Sequence, residues 1–167
     1  PLGGRLFWGH PGHLVGHVLL LETDRDGLIL VDTGVGLDDV ADRARRLGPV
    51  AVLGGFPTDP TRTARRQLEA LGFDPADVRH IVLTHFDLDH AGGIPDFPGA
   101  TVHLLDAALR AAKDPPTFAE SQRYRRPHVQ AVSHWEAYAA DGEAWHGFPA
   151  AQRLRDLSTD VLLVPLQ

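Results

Sequence analysis

Four side chains able to bind a cation or move a proton fall within one short run of this 167-residue chain. They are His85, Asp87, Asp89 and His90, in Thr84-His85-Phe86-Asp87-Leu88-Asp89-His90-Ala91-Gly92-Gly93. Imidazole nitrogens and carboxylate oxygens suit zinc, iron or manganese, and such a density of them is costly to bury without a cation or strong hydrogen bonds. A lone histidine in a loop is usually just solvated. Here the run follows an apolar segment, His80-Ile81-Val82-Leu83-Thr84, and α/β proteins place their sites at the carboxyl ends of such strands. Gly92-Gly93 lets the backbone pack closely as it leaves the loop. The spacing predicts that all four side chains face one cleft and hold metal.

The elements that must position this loop are legible in outline. Leu14 to Thr23 reads as a strand, Asp24-Arg25-Asp26-Gly27 as a tight turn, and Leu28 to Val31 as a buried strand broken by Asp32-Thr33-Gly34. Asp32 is either a turn residue or a carboxylate that orients a metal ligand by hydrogen bonding. A helix is expected from Leu37 to Leu47, stopped by Gly48. A second is expected with Asp59 as its cap, Pro60 in its first turn, an apolar stripe of Ala64, Leu68 and Leu71, and Gly72 at its end. Ala100 to Leu104 reads as another strand, followed by a helix from about Asp106 to Lys113. From about 114 to 149 the periodicity is lost, and the segment holds Phe118, Tyr124, Trp135, Tyr138, Trp145 and Phe148. It reads as a lid or functional insertion, or as an aromatic cluster packed over the core. A hairpin followed by alternating helices and strands predicts an α/β fold with cover on both sheet faces.

A net charge of -6 argues against nucleic acid as the main partner, because phosphate binding needs a basic surface. With no cysteine, disulfide scaffolds and thiolate zinc sites are excluded. No apolar run approaches the roughly 20 residues that cross a bilayer, so no membrane partner is expected. The start has no signal-peptide pattern, which points to the cytoplasm. Methionine is absent, so the initiator is removed or lies upstream of Pro1. Val161 to Leu166 reads as a buried strand close to the last residue, and the remainder of the domain, or a complementary chain, is expected beyond Gln167.

The loop resembles the metal-binding motif of the metallo-β-lactamase superfamily, written HxHxDH, here in an HxDxDH variant. Val31-Asp32-Thr33-Gly34 is similar to that superfamily's upstream Asp-Thr-Gly turn. The resemblance spans roughly Leu14 to Leu104 and implies an αββα sandwich. The chain would be the amino-terminal portion, residues 1–167, of one such domain, with the first sheet and part of the second, and an insertion or lid at about 114–149. It also implies two divalent metal ions, zinc first, with manganese or iron compatible. His85 corresponds to the first histidine of the motif, Asp89 to its aspartate and His90 to its last histidine, while Asp87 stands at the second histidine position. A carboxylate there makes the first metal site more anionic and harder, which favours manganese or iron relative to zinc. The downstream ligands of the family are not present before Gln167. Asp32, on this resemblance, orients a ligand without itself binding metal.

The implied activity is metal-assisted hydrolysis of a small-molecule lactone, ester or thioester carbonyl, as in the lactonase and glyoxalase II branches, with Asp89 delivering a proton to the leaving group. Two rivals stand beside it: an iron-dependent redox enzyme on the same fold, and a non-catalytic module with half a metal site. His10, His13 and His17 near the start, and His80 at a strand end, are not expected to bind metal. One of His128, His134 and His146 can enter the pocket. Arg123, Arg125 and Arg126 beside Tyr124 read as a solvated basic face rather than as a substrate carboxylate site.

Overall fold

A computed structural model describes residues 2–5, 11–48, 56, 58–158 and 160–166. Strands β1 (Leu2–Arg5) and β2 (Pro11–Leu14) pair as an antiparallel ribbon. The segment expected as one strand from Leu14 to Thr23 is divided, because Val15 to Val18 lie in neither β2 nor β3 (Leu19–Glu22). β3 pairs antiparallel with β4 (Leu28–Val31) across the turn read from the sequence. There the Thr23 hydroxyl donates to the Gly27 carbonyl at 2.7 Å and accepts the Asp26 N–H at 2.9 Å. β5 (Val78–Val82), β6 (Thr101–Leu105) and β7 (His134–Tyr138) add in parallel, giving the order β3-β4-β5-β6-β7.

The period-2 alternation of strands sorts the side chains of this sheet. Leu30, Ile81, Val102 and Leu104 join one core with Ala64 and Leu68 of a helix and with Leu109 and Ala112 of another. Ile29, His80, His103 and Tyr138 alternate to the opposite side, where Ile29, His103 and Tyr138 are also buried. The sheet is thus covered on both faces, as the near-continuous apolar runs of β4 and β5 require.

The helices are short. The span expected as one helix is two, α1 (Leu37–Ala41) and α2 (Arg43–Arg46), because Asp42 leaves the helical region and its carboxylate caps α2 by accepting the Arg45 N–H. Asp59 caps only the 3₁₀ turn Pro60–Arg62, and the Thr63 hydroxyl caps α3 (Ala64–Ala70) in its place. Leu71 falls just past α3 and is 70% exposed, so it is not part of the buried stripe. After β5 come α4 (Leu88–Ala91), α5 (Asp106–Lys113), α6 (Phe118–Arg123) and α7 (Arg126–Gln130). Among the described residues no helix is long and apolar enough to cross a membrane.

A second sheet of order β10-β9-β8 follows, built from β8 (Glu143–Trp145), β9 (Phe148–Arg153) and β10 (Leu162–Leu163). His146 and Gly147 turn β8 into β9 with φ of 45° and 90°, the left-handed pair that a two-residue hairpin needs. The buried strand expected from Val161 to Leu166 is only the two residues of β10, paired with β9 alone and with Leu162 exposed. Ser158 ties this part to the first hairpin, donating its N–H and hydroxyl to Asp26 at 2.9–3.1 Å.

His103 makes stability pH-dependent. Its ring is wholly buried, with Nδ1 2.8 Å from the Tyr138 hydroxyl and Nε2 2.9 Å from His80 Nδ1. Burial, reinforced by the neighbouring His80, pushes its pKa from 6.5 down to about 4. The folded state therefore binds fewer protons than the unfolded state between those values. Its stability is intact above the unfolded pKa and is lost as pH falls from 6.5 through about 4. The expected loss across that window is about 3 kcal/mol. Urea midpoints measured between pH 7 and pH 4 should fall more steeply in the parent than in His103→Gln; parallel slopes would show that His103 does not carry the effect.

Candidate metal centre

The chain leaves β5 into the loop of interest under firm constraint. Phe86 is buried at 2% exposure, its ring 5.9 Å from Trp135 and edge-on to Tyr124 at 6.4 Å. Leu88 and Ala91, on the inner side of α4, are buried as well. With those three inside, the alternate residues Asp87, Asp89 and His90 are left partly exposed. The loop is also stitched to the turn after β4. Thr33 donates both its N–H and its hydroxyl to the His90 carbonyl at 2.8 Å, and the Gly93 N–H donates to the Gly34 carbonyl at 2.9 Å and to the Thr33 hydroxyl at 3.0 Å.

Asp32 lies between these two segments, 5% exposed and with φ of 58°, a conformation that aspartate and asparagine tolerate better than most residues. Its Oδ1 accepts the Thr84 N–H at 2.9 Å. Its Oδ2 faces the Thr84 hydroxyl and His90 Nδ1, each at 2.8 Å. An ionised carboxylate can only accept, so both of these partners must donate. His90 therefore carries its proton on Nδ1. The Thr84 hydroxyl, its own proton spent on Asp32, accepts from His85 Nδ1 at 2.9 Å. One buried carboxylate thus places a proton on Nδ1 of both imidazoles, so that in the neutral rings the lone pair lies on Nε2. The hydrogen bond to Asp32 also raises the His90 pKa, so a cation binding there displaces a proton more easily as pH rises.

The two rings lie 3.9 Å apart between centroids. His90 Nε2 is 3.6 Å from Asp89 Oδ2, and His85 Nε2 is 3.7 Å from Asp87 Oδ2. The four side chains come together as two imidazole–carboxylate pairs rather than one ring. Among the described residues no three His, Asp or Glu side chains are set to hold a metal ion by themselves. The donor chemistry nonetheless suits a divalent cation, because each free Nε2 has a carboxylate oxygen beside it and each Nδ1 is anchored behind, the usual support for ligand histidines.

Asp89 lines a cavity of about 640 Å³ with Thr33, His17 and the apolar Val18, Leu68 and Leu71. His17 contributes to that wall, apart from the two pairs. His10 and the side chain of His13 lie outside the described residues. His128 is fully buried against Asp39, His134 pairs with Glu136 at 3.6 Å, and His146 occupies the exposed hairpin turn; none of the three lines the cavity. The three arginines do not form the expected solvated face. Arg123 grips Asp87 with two hydrogen bonds, Nε to Oδ1 at 3.0 Å and Nη2 to Oδ2 at 2.8 Å, Arg125 donates to the Leu47 carbonyl, and Arg126 alone is exposed without such a contact. From the sequence Arg123 reads only as part of a basic face, and Thr84 is assigned no role. Thr84 carried one usable signal, a hydroxyl directly before a candidate ligand.

Residues 11–161 match the family model of the metallo-beta-lactamase superfamily. The probable metallo-hydrolase Rv2300c of Mycobacterium tuberculosis is 46% identical over 153 residues, which cover 92% of this chain and 49% of that protein. The N-acyl homoserine lactonase AttM of Rhizobium johnstonii is 32% identical over 116 residues, 70% of this chain and 44% of its own length. Among solved structures, a B. thuringiensis AiiA variant with N-decanoyl-L-homoserine bound at its active site superposes with a TM-score of 0.58. That match has 24% identity and covers 83% of this chain and 54% of that one, a likeness of fold. The chain belongs to the metallo-beta-lactamase superfamily. It spans about half the length of the curated relatives it matches.

Proposed function

We propose that the protein containing this chain is a metal-dependent hydrolase acting on the carbonyl of a lactone, ester or thioester, with His85, Asp87, Asp89 and His90 as its metal ligands on this side of the site. The observation that carries the reading is the hydrogen-bond relay from Asp32, which fixes both imidazoles with Nε2 lone pairs exposed. A purely structural loop has no need to set two tautomers in the same sense. When bound, divalent cations supply Lewis acidity toward a carbonyl and make water acidic enough to attack near neutral pH.

The chain's own residues do the rest. His85 and His90 present neutral donors, held in direction by Thr84 and Asp32. Asp89 borders both His90 and the cavity, so its carboxylate can take the proton released when water adds to the carbonyl and deliver it to the departing alkoxide or thiolate. Val18 and Leu68 give the cavity an apolar side suited to a hydrophobic acyl portion. The similarity to AttM, named an N-acyl homoserine lactonase, supports acylated lactones as the first substrates to try. Purified protein should hydrolyse an acyl lactone or a nitrophenyl ester, fall to the uncatalysed rate after dialysis against a chelator, and recover with zinc or manganese. Turnover indifferent to chelation would exclude the metal-dependent reading.

A further inference from the structure

The Asp87–Arg123 contact is more than a surface ion pair. The guanidinium meets the carboxylate with two parallel hydrogen bonds, the fork geometry that fixes direction as well as charge. Asp87 is 24% exposed and Arg123 54%. An isolated exposed pair of this kind contributes little, because two long side chains must be held still. Here the holding is already done by neighbours on both sides. Phe86, directly before Asp87, is buried and packs edge-on against Tyr124, directly after Arg123. The Arg123 guanidinium lies 5.7 Å from the Tyr124 ring. Beyond it Arg125 donates to the Leu47 carbonyl, and His128 is fully buried with Nε2 2.8 Å from an Asp39 oxygen. Asp39 in turn accepts from Arg46 Nε at 2.8 Å. The chain that follows Arg123 is thereby anchored to the protein through Tyr124, Arg125 and His128, and this holds Arg123 within reach of Asp87.

The electrostatics of the loop give that contact a purpose. Asp32, Asp87 and Asp89 bring three carboxylates to two imidazoles. Asp32 and Asp89 have only the His90 ring as an ionic neighbour, so among the described residues Asp87 alone of the three is paired with an arginine. The bonds from Arg123 tie down both Asp87 oxygens, while Oδ2 lies 3.7 Å from His85 Nε2. Each carboxylate oxygen keeps a further lone pair for another partner.

We propose that Arg123, on α6, is a positioning residue of the metal centre. It fixes the Asp87 carboxylate beside the free Nε2 of His85 and cancels the charge that this carboxylate adds. The role rests on the metal-ligand reading given above. Removing the fork frees Asp87 to rotate away from His85, so affinity falls although a positive charge has been taken out.

The test is zinc affinity, measured by competition with a chromophoric chelator on the metal-free protein containing this chain, beside thermal melting of the metal-free form. Arg123→Ala is expected to weaken zinc binding about 10- to 100-fold, the usual cost of losing a partner that orients a ligand, with an unchanged metal-free Tm. Arg123→Lys, which keeps the charge and loses the fork, should be nearly as weak. In an Asp87→His background the Arg123→Ala change should have no effect, because the group it positions is gone. Tighter zinc binding by Arg123→Ala would make the arginine a competitor for Asp87 and overturn the proposal. So would equal affinity of Arg123→Ala and parent, or an equal loss in the Asp87→His background. If the parent binds neither zinc nor manganese, the metal-ligand reading fails and this role with it; if the parent binds either metal tightly and Arg123→Ala matches it, only the role of Arg123 fails.

Discussion

Asp32→Asn should weaken zinc binding about 10- to 100-fold while leaving the fold intact, and with it most of the hydrolysis. The substitution is nearly isosteric, and asparagine tolerates the left-handed backbone that residue 32 adopts at φ 58°. Only the chemistry of one atom changes. Asp32 accepts from three donors: the Thr84 N–H, the Thr84 hydroxyl and His90 Nδ1–H. An amide offers one accepting oxygen and one donating nitrogen. If the nitrogen faces His90, the imidazole must accept at Nδ1 and carry its proton on Nε2, where the lone pair for a cation was. If it faces the Thr84 N–H, two donors oppose each other in a nearly dry position, which costs about 1–3 kcal/mol. The first orientation also removes the acceptor of the Thr84 hydroxyl and so breaks the relay to His85; the second keeps that acceptor but pushes the Thr84 backbone away from residue 32. Nitrogen chemical shifts of the two rings would read the tautomers directly, beside chelator competition for the affinity. Unchanged tautomers together with unchanged affinity would mean that Asp32 is only a turn residue.

That outcome bears on what a sequence can reveal. The loop from His85 to His90 is legible because its ligand-type residues are local, follow an apolar strand and precede two glycines. The α/β reading and the hairpin before Asp32 rest on similarly local patterns, and the parallel sheet of β4, β5 and β6 agrees with them. The αββα sandwich comes from the family resemblance. Contacts made across long separations left no such trace. Arg123 meets Asp87 from 36 residues away, and three arginines in four residues look like a solvated face until the fold sends each to a different carbonyl, carboxylate or solvent. β7 was hidden for another reason. In His134-Trp135-Glu136-Ala137-Tyr138 the outward Trp135 and Ala137 pack on the helical side, while Glu136 binds Arg155 and Tyr138 binds His103 on the other. The strand does alternate, but it is only five residues long and is set in a segment whose neighbours carry no periodicity, so a short alternation there does not stand out. The break at Asp42 and the cap at Thr63 are of the same kind, since several capping residues compete within a few positions and packing selects one.

Gly36→Ala is expected to destabilise the protein by about 3 kcal/mol or more and to weaken zinc binding with it. The backbone of Gly36 is extended, with φ -85° and ψ 169°, so alanine meets no conformational strain there. The whole effect is steric. A Cβ at Gly36 would lie 2.4 Å from the Gly92 carbonyl oxygen and 3.1 Å from both the Gly92 carbonyl carbon and Gly93 Cα. All three atoms are main chain, so no rotamer change relieves the overlap and the two loops must part. They are the loops that the bonds from Thr33 and Gly34 hold together, one leading from Asp32 and the other from His90. Separation moves Asp32 away from His90 Nδ1, so the steric fault at residue 36 becomes a fault in the imidazole tautomers. Gly99→Ala is the control: no heavy atom lies within 4 Å of its added Cβ, and neither stability nor zinc affinity should change. Urea unfolding and chelator competition on the two variants separate the cases. If Gly36→Ala behaved like Gly99→Ala in both, the turn after β4 would not be what holds the metal loop in place.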